Sequence, residues 1–174
     1  GEEQCSDVTT ISFTAEGENR AIDFDITIHA SAGDVIFGDT KEGSMGIRTN
    51  PALRLRGSVA KGKAVNSGGI SGKSVWGKRA EWVDYWGKIG KQTVGVAIFD
   101  HPSNPRHPTW WHARDYGLVA ANPFGVHDFE RKPKGTGDLK LNSGDKLNFK
   151  YRFLFHIGDV KTAQIGDKWT QWAK

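Results

Sequence analysis

The chain has a single cysteine, Cys5, among its 174 residues, so no intrachain disulfide can brace it. No apolar run is long enough to cross a bilayer as a helix, and a helical membrane span is not expected. Nor is there a dense block of lysine and arginine. The nearest candidate, ERKPKGTGDLK, is broken by acids, and the formal net charge is only +4. Without a concentrated basic stripe or a zinc-finger, RRM or helix-turn-helix signature, nucleic acid is not an expected partner. The chain also lacks a GxSxG elbow, an HExxH pair and an ordered phosphate-cradling loop, which removes the commonest hydrolase, metalloprotease and nucleotide-binding motifs.

What the chain does have is glycine, 22 residues of it, scattered between short apolar runs. That pattern implies many turns and a β-rich fold, and the length suits one domain over residues 1–174 with a sizeable core. Alternation is clearest in AIDFDITIHAS, where Ile22, Phe24, Ile26 and Ile28 share one face. It recurs in DVTTISFTAE, in AEWVDYWGKIGKQTVGVAIFD as two strands joined by a turn, and in ALRLRG. DLKLNSGDKLNFKYRFLFHIGD reads as a hairpin about NSGD, and residues 61–79 as a loop or weak hairpin. The tail VKTAQIGDKWTQWAK reads as a short helix weakened by Gly166. The expected fold is all-β, an antiparallel sandwich with long loops and a short C-terminal helix. The start at Gly1 is read as a trimmed or excised product, the C-terminal part of a longer architecture exported to the periplasm or beyond.

Chemistry gathers in FDHPSNPRHPTWWHARDYGLVAANPFG, residues 99–125. Pro102, Pro105 and Pro108 stiffen this segment, so Asp100, His101, Asn104, His107 and Arg114 can be held in place without a ligand. Trp110, Trp111 and Tyr116 offer flat faces on which a sugar ring stacks while its hydroxyls meet amides and charges. For any one of these residues, a core or capping role is the simpler reading; together they suggest one wall of a site. A second cluster, DTKEGSMGIR, places Lys41, Glu42 and Arg48 among glycines, and a carboxylate beside a cation can be tuned as acid or base. In EWVDYWG, Glu81, Val83 and Tyr85 take one face and Trp82, Asp84 and Trp86 the other, read as core aromatics with exposed acids. His156 reads as a hydrogen-bonded edge histidine. No motif joins His101, His107 and His112, so no metal ligand is assigned and the cofactor is left open.

DTKEGSMGIR, EWVDYWG, VAIFDHPSNPRHPTWWHARDYGLVAANPFG and LKLNSGDKLNFKYRFLFHIGD, in that order, resemble the PmoA-like family, the DUF6807 domain, over about Gly33 to Asp159. The resemblance marks Lys41, Glu42, Gly43, Arg48, Asp84, Asp100, His101, Pro102, Asn104, Pro105, Trp111, His112, Arg114, Gly117, Asn122, Pro123 and Phe124. Such proteins are common in polysaccharide-degrading bacteria. The sandwich reading is similar to the galactose-mutarotase-like supersandwich, which binds sugars in a cleft on one sheet. The combined expectation is a protein acting on a small-molecule or oligosaccharide ligand by hydrolysis, elimination or epimerisation. Glu42 with His101 or His112 would exchange the proton, Lys41, Arg48, Asp100, Asn104, Arg114 and Asn122 would bind substrate, and Trp111 would stack on the ring. A non-catalytic binding or scaffold module is the alternative from a different class; the family's oxygenase label implies a third, a metal-dependent oxidase.

Overall fold

The computed structural model describes residues 2–174 and is an antiparallel β-sandwich with two short helices. The strands are β1 (Ser6–Glu16), β2 (Asn19–His29), β3 (Val35–Phe37), β4 (Met45–Arg48), β5 (Lys63–Asn66), β6 (Trp82–Ile89), β7 (Gln92–Asp100), β8 (Trp110–Ala113), β9 (Leu118–Asn122), β10 (Leu139–Leu141) and β11 (Lys146–Ile157). The helices are α1 (Val126–Glu130) and α2 (Ile165–Trp172), the latter over the tail where a helix was expected. The large sheet has six strands in the order β1-β2-β11-β7-β6-β5. Facing it are a small three-stranded sheet, β4-β9-β8, and a two-stranded ribbon of β10 and β3.

Period-two alternation dictates which side chains meet between the layers. From the large sheet come Val83 and Tyr85, Val96 and Ile98, and Phe149, Tyr151 and Phe153, all buried. The small sheet answers with Trp111, Ala113, Val119 and Ala121, and Met45 and Ile47 pack at its edge. The opposite face of the large sheet is also covered. Trp82, Ala97, Phe99 and Leu154 are buried there against Ile165, Trp169 and Trp172 of α2. The β1–β2 hairpin extends past this packing. β1 is exposed along its whole length, with Ile11 and Phe13 uncovered on the inner face, while Ile22, Phe24, Ile26 and Ile28 are half-buried.

Five sequence expectations need correction. ALRLRG is not a strand: Pro51–Leu53 forms a 3₁₀ turn capped by the Asn50 side chain, and the following residues are irregular. The stretch LKLNSGDKLNF is not a hairpin. β10 pairs with β3 and β11 with β2 and β7, so the turn at NSGD carries the chain from one layer to the other. The 99–125 segment, read as a continuous loop, contains β8 and β9. Asp84 is not an exposed acid, and His156 is not at an edge: both are fully buried on the outer face, with His156 Nε2 at 2.9 Å from Asp84 Oδ1. Gly95 makes this contact feasible, because its bare Cα leaves room for the imidazole.

Burial pushes the Asp84 carboxyl above its ordinary value of 3.8, although the hydrogen bond from His156 opposes the shift. A carboxyl whose folded value is raised stabilises the fold below the unfolded value and loses that contribution as pH rises through the folded one. Asp84→Asn removes this titration. The stability of the wild type minus that of the variant should therefore fall as pH climbs from below 3.8. Urea unfolding of both proteins across the acid range checks it, and a difference that stays flat, or grows with pH, contradicts the assignment.

Candidate functional site

The proline-braced segment is organised by Asp100, the last residue of β7. Its carboxylate is buried and accepts hydrogen bonds from Asn104 Nδ2 (2.8 Å), His107 Nδ1 (2.7 Å) and the Thr109 backbone N–H (2.9 Å). Asn104 also donates to the Lys150 carbonyl and accepts from the Lys150 N–H, which fastens the loop to β11. Arg106 donates to three backbone carbonyls, those of Pro123, Gly137 and Asp138. Asn122 is equally committed: its amide donates to the Thr40 carbonyl and its oxygen accepts from the Phe124 N–H. Trp111 is fully buried in the inter-sheet core and gives its indole N–H to the Ala80 carbonyl. Asp100, Asn104, Asn122 and Trp111 are therefore structural in this fold, with no face or free polar atom to offer a substrate.

The remaining candidates separate onto two faces. His101 lies on the α2 side. Its Nδ1 accepts from the Ser103 N–H and meets the Ser103 hydroxyl, and its ring stands edge-on to Trp172 with centroids 5.1 Å apart. With Thr10, Ser12, Asp25, Lys150 and Trp172 it borders a shallow groove of about 350 Å³. Burial and the nearby Lys150 cation lower the His101 pKa below 6.5. Asp25 in this groove is already shared between Asn148 and Lys150, and Asp23 between both arms of Arg152. These are cross-strand pairs of an ordinary sheet surface.

His112 is on the other side of the molecule. Its neighbours in β8, Trp111 and Ala113, point into the core, so His112 points away from it, on the outer face of the small sheet. Gly46 and Arg48 of β4 share that face, because Met45 and Ile47 point inward. The Lys41–Glu42–Gly43 turn is pinned here: Lys41 N–H donates to Asp128, and the Gly43 backbone lies so close to Asn122 and Ala120 that a Cβ would collide with them. The turn and His112 are thus neighbours, whereas His101 is not with them. The proton partnership open to Glu42 is with His112.

The chemistry of this face is cationic and aromatic. Arg48 lies over the Tyr116 ring at 5.1 Å from its centroid, and Arg114 over the same ring at 5.4 Å and over Trp76 at 6.0 Å. Trp76 stands edge-on to His112, with centroids 6.4 Å apart, and against Phe129. His112 is 3% exposed and its Nδ1 has no hydrogen-bond partner among the described residues; neither has the buried Nε1 of Trp76. Burial, and next the Arg114 cation, hold the His112 pKa below 6.5, while the Glu42 charge and a hydrogen bond to the Lys41 backbone push the other way. At neutral pH His112 is therefore an uncharged imidazole. Glu42 is exposed and pairs with Lys41 at 3.4 Å. A cavity of about 230 Å³ opens beside Trp76 and Arg114, with Lys73 and Asp115 on its walls.

Sequence reasoning overlooked Trp76 and Lys73. Both lie in the Gly/Ser/Lys-rich 61–79 stretch, and the available signal was a lone tryptophan in an otherwise polar loop. His101, His107 and His112 do not converge: the first is held by Ser103, the second by Asp100, and the third lies across the sandwich. Among the described residues, no three His, Cys, Asp or Glu side chains gather as a metal would require. The model of a family described as "Family of unknown function (DUF6807)" matches residues 1–170. No curated protein and no solved structure matches the chain.

Proposed function

The chain belongs to the DUF6807 family, and on that premise we propose that it is a carbohydrate-active protein whose site is the outer face of the small sheet. One observation carries this reading: a buried His112 whose Nδ1 has no partner among the described residues, on the face that also holds the Lys41–Glu42 turn and the Trp76–Arg114 stack. A carboxylate and a neutral imidazole are both bases at rest, so one takes a proton from substrate or water and, once protonated, returns it as the acid, a shuttle that hydrolysis, elimination and epimerisation can each use. Arg48 and Arg114, stacked on Tyr116 and Trp76, provide donors for a sugar's oxygens. In this reading the exposed Glu42 takes the proton and returns it, the buried His112 stands behind it as its proton partner, and Arg114 steadies negative charge as it develops. The PmoA-like and supersandwich resemblance, and export to a compartment where polysaccharide is met, accord with the same reading.

The test is turnover on a panel of neutral and acidic oligosaccharides, followed by reducing-end release, ultraviolet absorbance of unsaturated product, and NMR of epimers. Glu42→Gln and His112→Ala should each lower turnover about a hundredfold. Because the folded pKa of His112 is lowered, activity should persist at pH 6.5 and fall only at more acid pH, as the imidazole takes a proton. A non-catalytic binding module is the second reading, favoured by the exposure of Glu42, whose carboxylate is held, among the described residues, by Lys41 alone. In that case both variants would keep ligand affinity and no protein would show turnover.

A further inference from the structure

The cavity beside Trp76 has an imbalance of charge that narrows what can fill it. Arg114 and Lys73 stand on its walls, and Arg48 lies just beyond Tyr116. Among the described residues, no carboxylate pairs with any of the three. The one acid on the wall, Asp115, is committed elsewhere: its Oδ2 lies 3.1 Å from Arg56 Nε. Of the other acids on this side, Glu42 is opposed by Lys41, Asp128 accepts from the Lys41 backbone N–H and Glu130 from the Trp110 indole. What the cavity offers a ligand is therefore two cations on its walls, Arg114 and Lys73, with no ion-pair partner among the described residues.

The arginines are also arranged to receive an anion. A guanidinium lying over an aromatic ring satisfies its flat face and leaves its N–H edge free for a two-oxygen acceptor. Arg114 is held this way between Tyr116 and Trp76. The buried indole N–H of Trp76 is a further donor without an acceptor. A neutral sugar hydroxyl can accept one such bond, but it leaves the charges uncompensated. An oxyanion can accept from the guanidinium edge and the lysine together.

Resting on the carbohydrate reading above, we propose that the saccharide bound at this face carries an oxyanion, a carboxylate or a sulfate, seated against Arg114 and Lys73. The ligand class is thus an acidic glycan, with its charged group in the cavity and its ring toward Tyr116.

The experiment is calorimetric titration of the full chain with three probes: short oligogalacturonate, its methyl-esterified neutral counterpart, and a sulfated oligosaccharide. Expected is an affinity about tenfold or more higher for at least one acidic probe than for the ester, shrinking as salt is raised. Lys73→Gln should remove most of that advantage and leave binding of the ester nearly unchanged, whereas Arg114→Gln should remove it and weaken the ester as well. Lys73 is exposed, so its variant reports even if the half-buried Arg114 variant folds poorly. Preference between the two acidic probes identifies the oxyanion. If the ester binds as tightly as the acids, this inference falls while the carbohydrate reading stands. If no probe binds, the carbohydrate reading falls and the inference with it.

Discussion

Asp100→Ala is expected to destabilise the protein by about 3–5 kcal/mol, visible as a lower urea midpoint with little change in slope. The magnitude follows from what the carboxylate holds. It is fully buried and receives three hydrogen bonds, from Asn104, His107 and Thr109, at 2.7–2.9 Å. Truncation strands the buried Thr109 N–H, and a stranded buried donor costs about 1–3 kcal/mol; it also takes the partner from the part-exposed His107. Asn104 keeps its bond to Lys150, so the loss falls mainly on Thr109 and His107. The His107 ring also lies parallel to Trp169 of α2, so loosening the loop disturbs the cover on the outer face. Asp100→Asn keeps the shape but places an amide among donors, and it should cost less than the alanine. A loss below about 1 kcal/mol for Asp100→Ala, within the range of surface changes, would show that the network is not what holds the segment.

Gly95→Ala is the second large effect, at about 3 kcal/mol or more. The added Cβ would sit 2.3 Å from His156 Nε2 and 2.9 Å from the Trp86 Cβ. The imidazole cannot step aside without giving up its 2.9 Å contact with Asp84, and the Trp86 atom belongs to the neighbouring strand. The double variant with His156→Ala isolates the cause. With the ring gone, Gly95→Ala should cost much less than it does alone, and additive losses in the cycle would refute the steric account.

The long strands are legible because alternation survives where one face is buried. The patterns in β2, β6, β7 and β11 each place the observed residues inward. The small sheet is not legible in the same way. β4, β8 and β9 have only four or five residues each, and β8 begins with Trp110 and Trp111, two aromatics that mark both faces at once. In the site, pairing Glu42 with the 99–125 segment follows from composition, but the choice between His101 and His112 does not. Those two histidines lie at opposite ends of a strand connection, and the side on which each emerges is decided by the sheets that β7 and β8 join. Asp100, Asn104 and Asn122 have the polarity of ligand-binding residues. Their roles are internal because backbone groups of the loops must be satisfied before any ligand is. Trp76 gave no periodic signal, since it follows a short 3₁₀ turn.

The position of β11 has a consequence for how the chain assembles. It lies between β2 and β7 and is the last strand in sequence, so the β1–β2 hairpin and the β5–β6–β7 meander share no hydrogen bonds until it arrives. Pairs such as Asp25 with Lys150 close loops spanning most of the polypeptide, an arrangement that slows folding because the entropy of closure is lost before the contacts form. During synthesis the ribosome delivers this keystone late. Until then two half-sheets wait with open edges, and the small sheet that carries His112 has nothing rigid to rest upon.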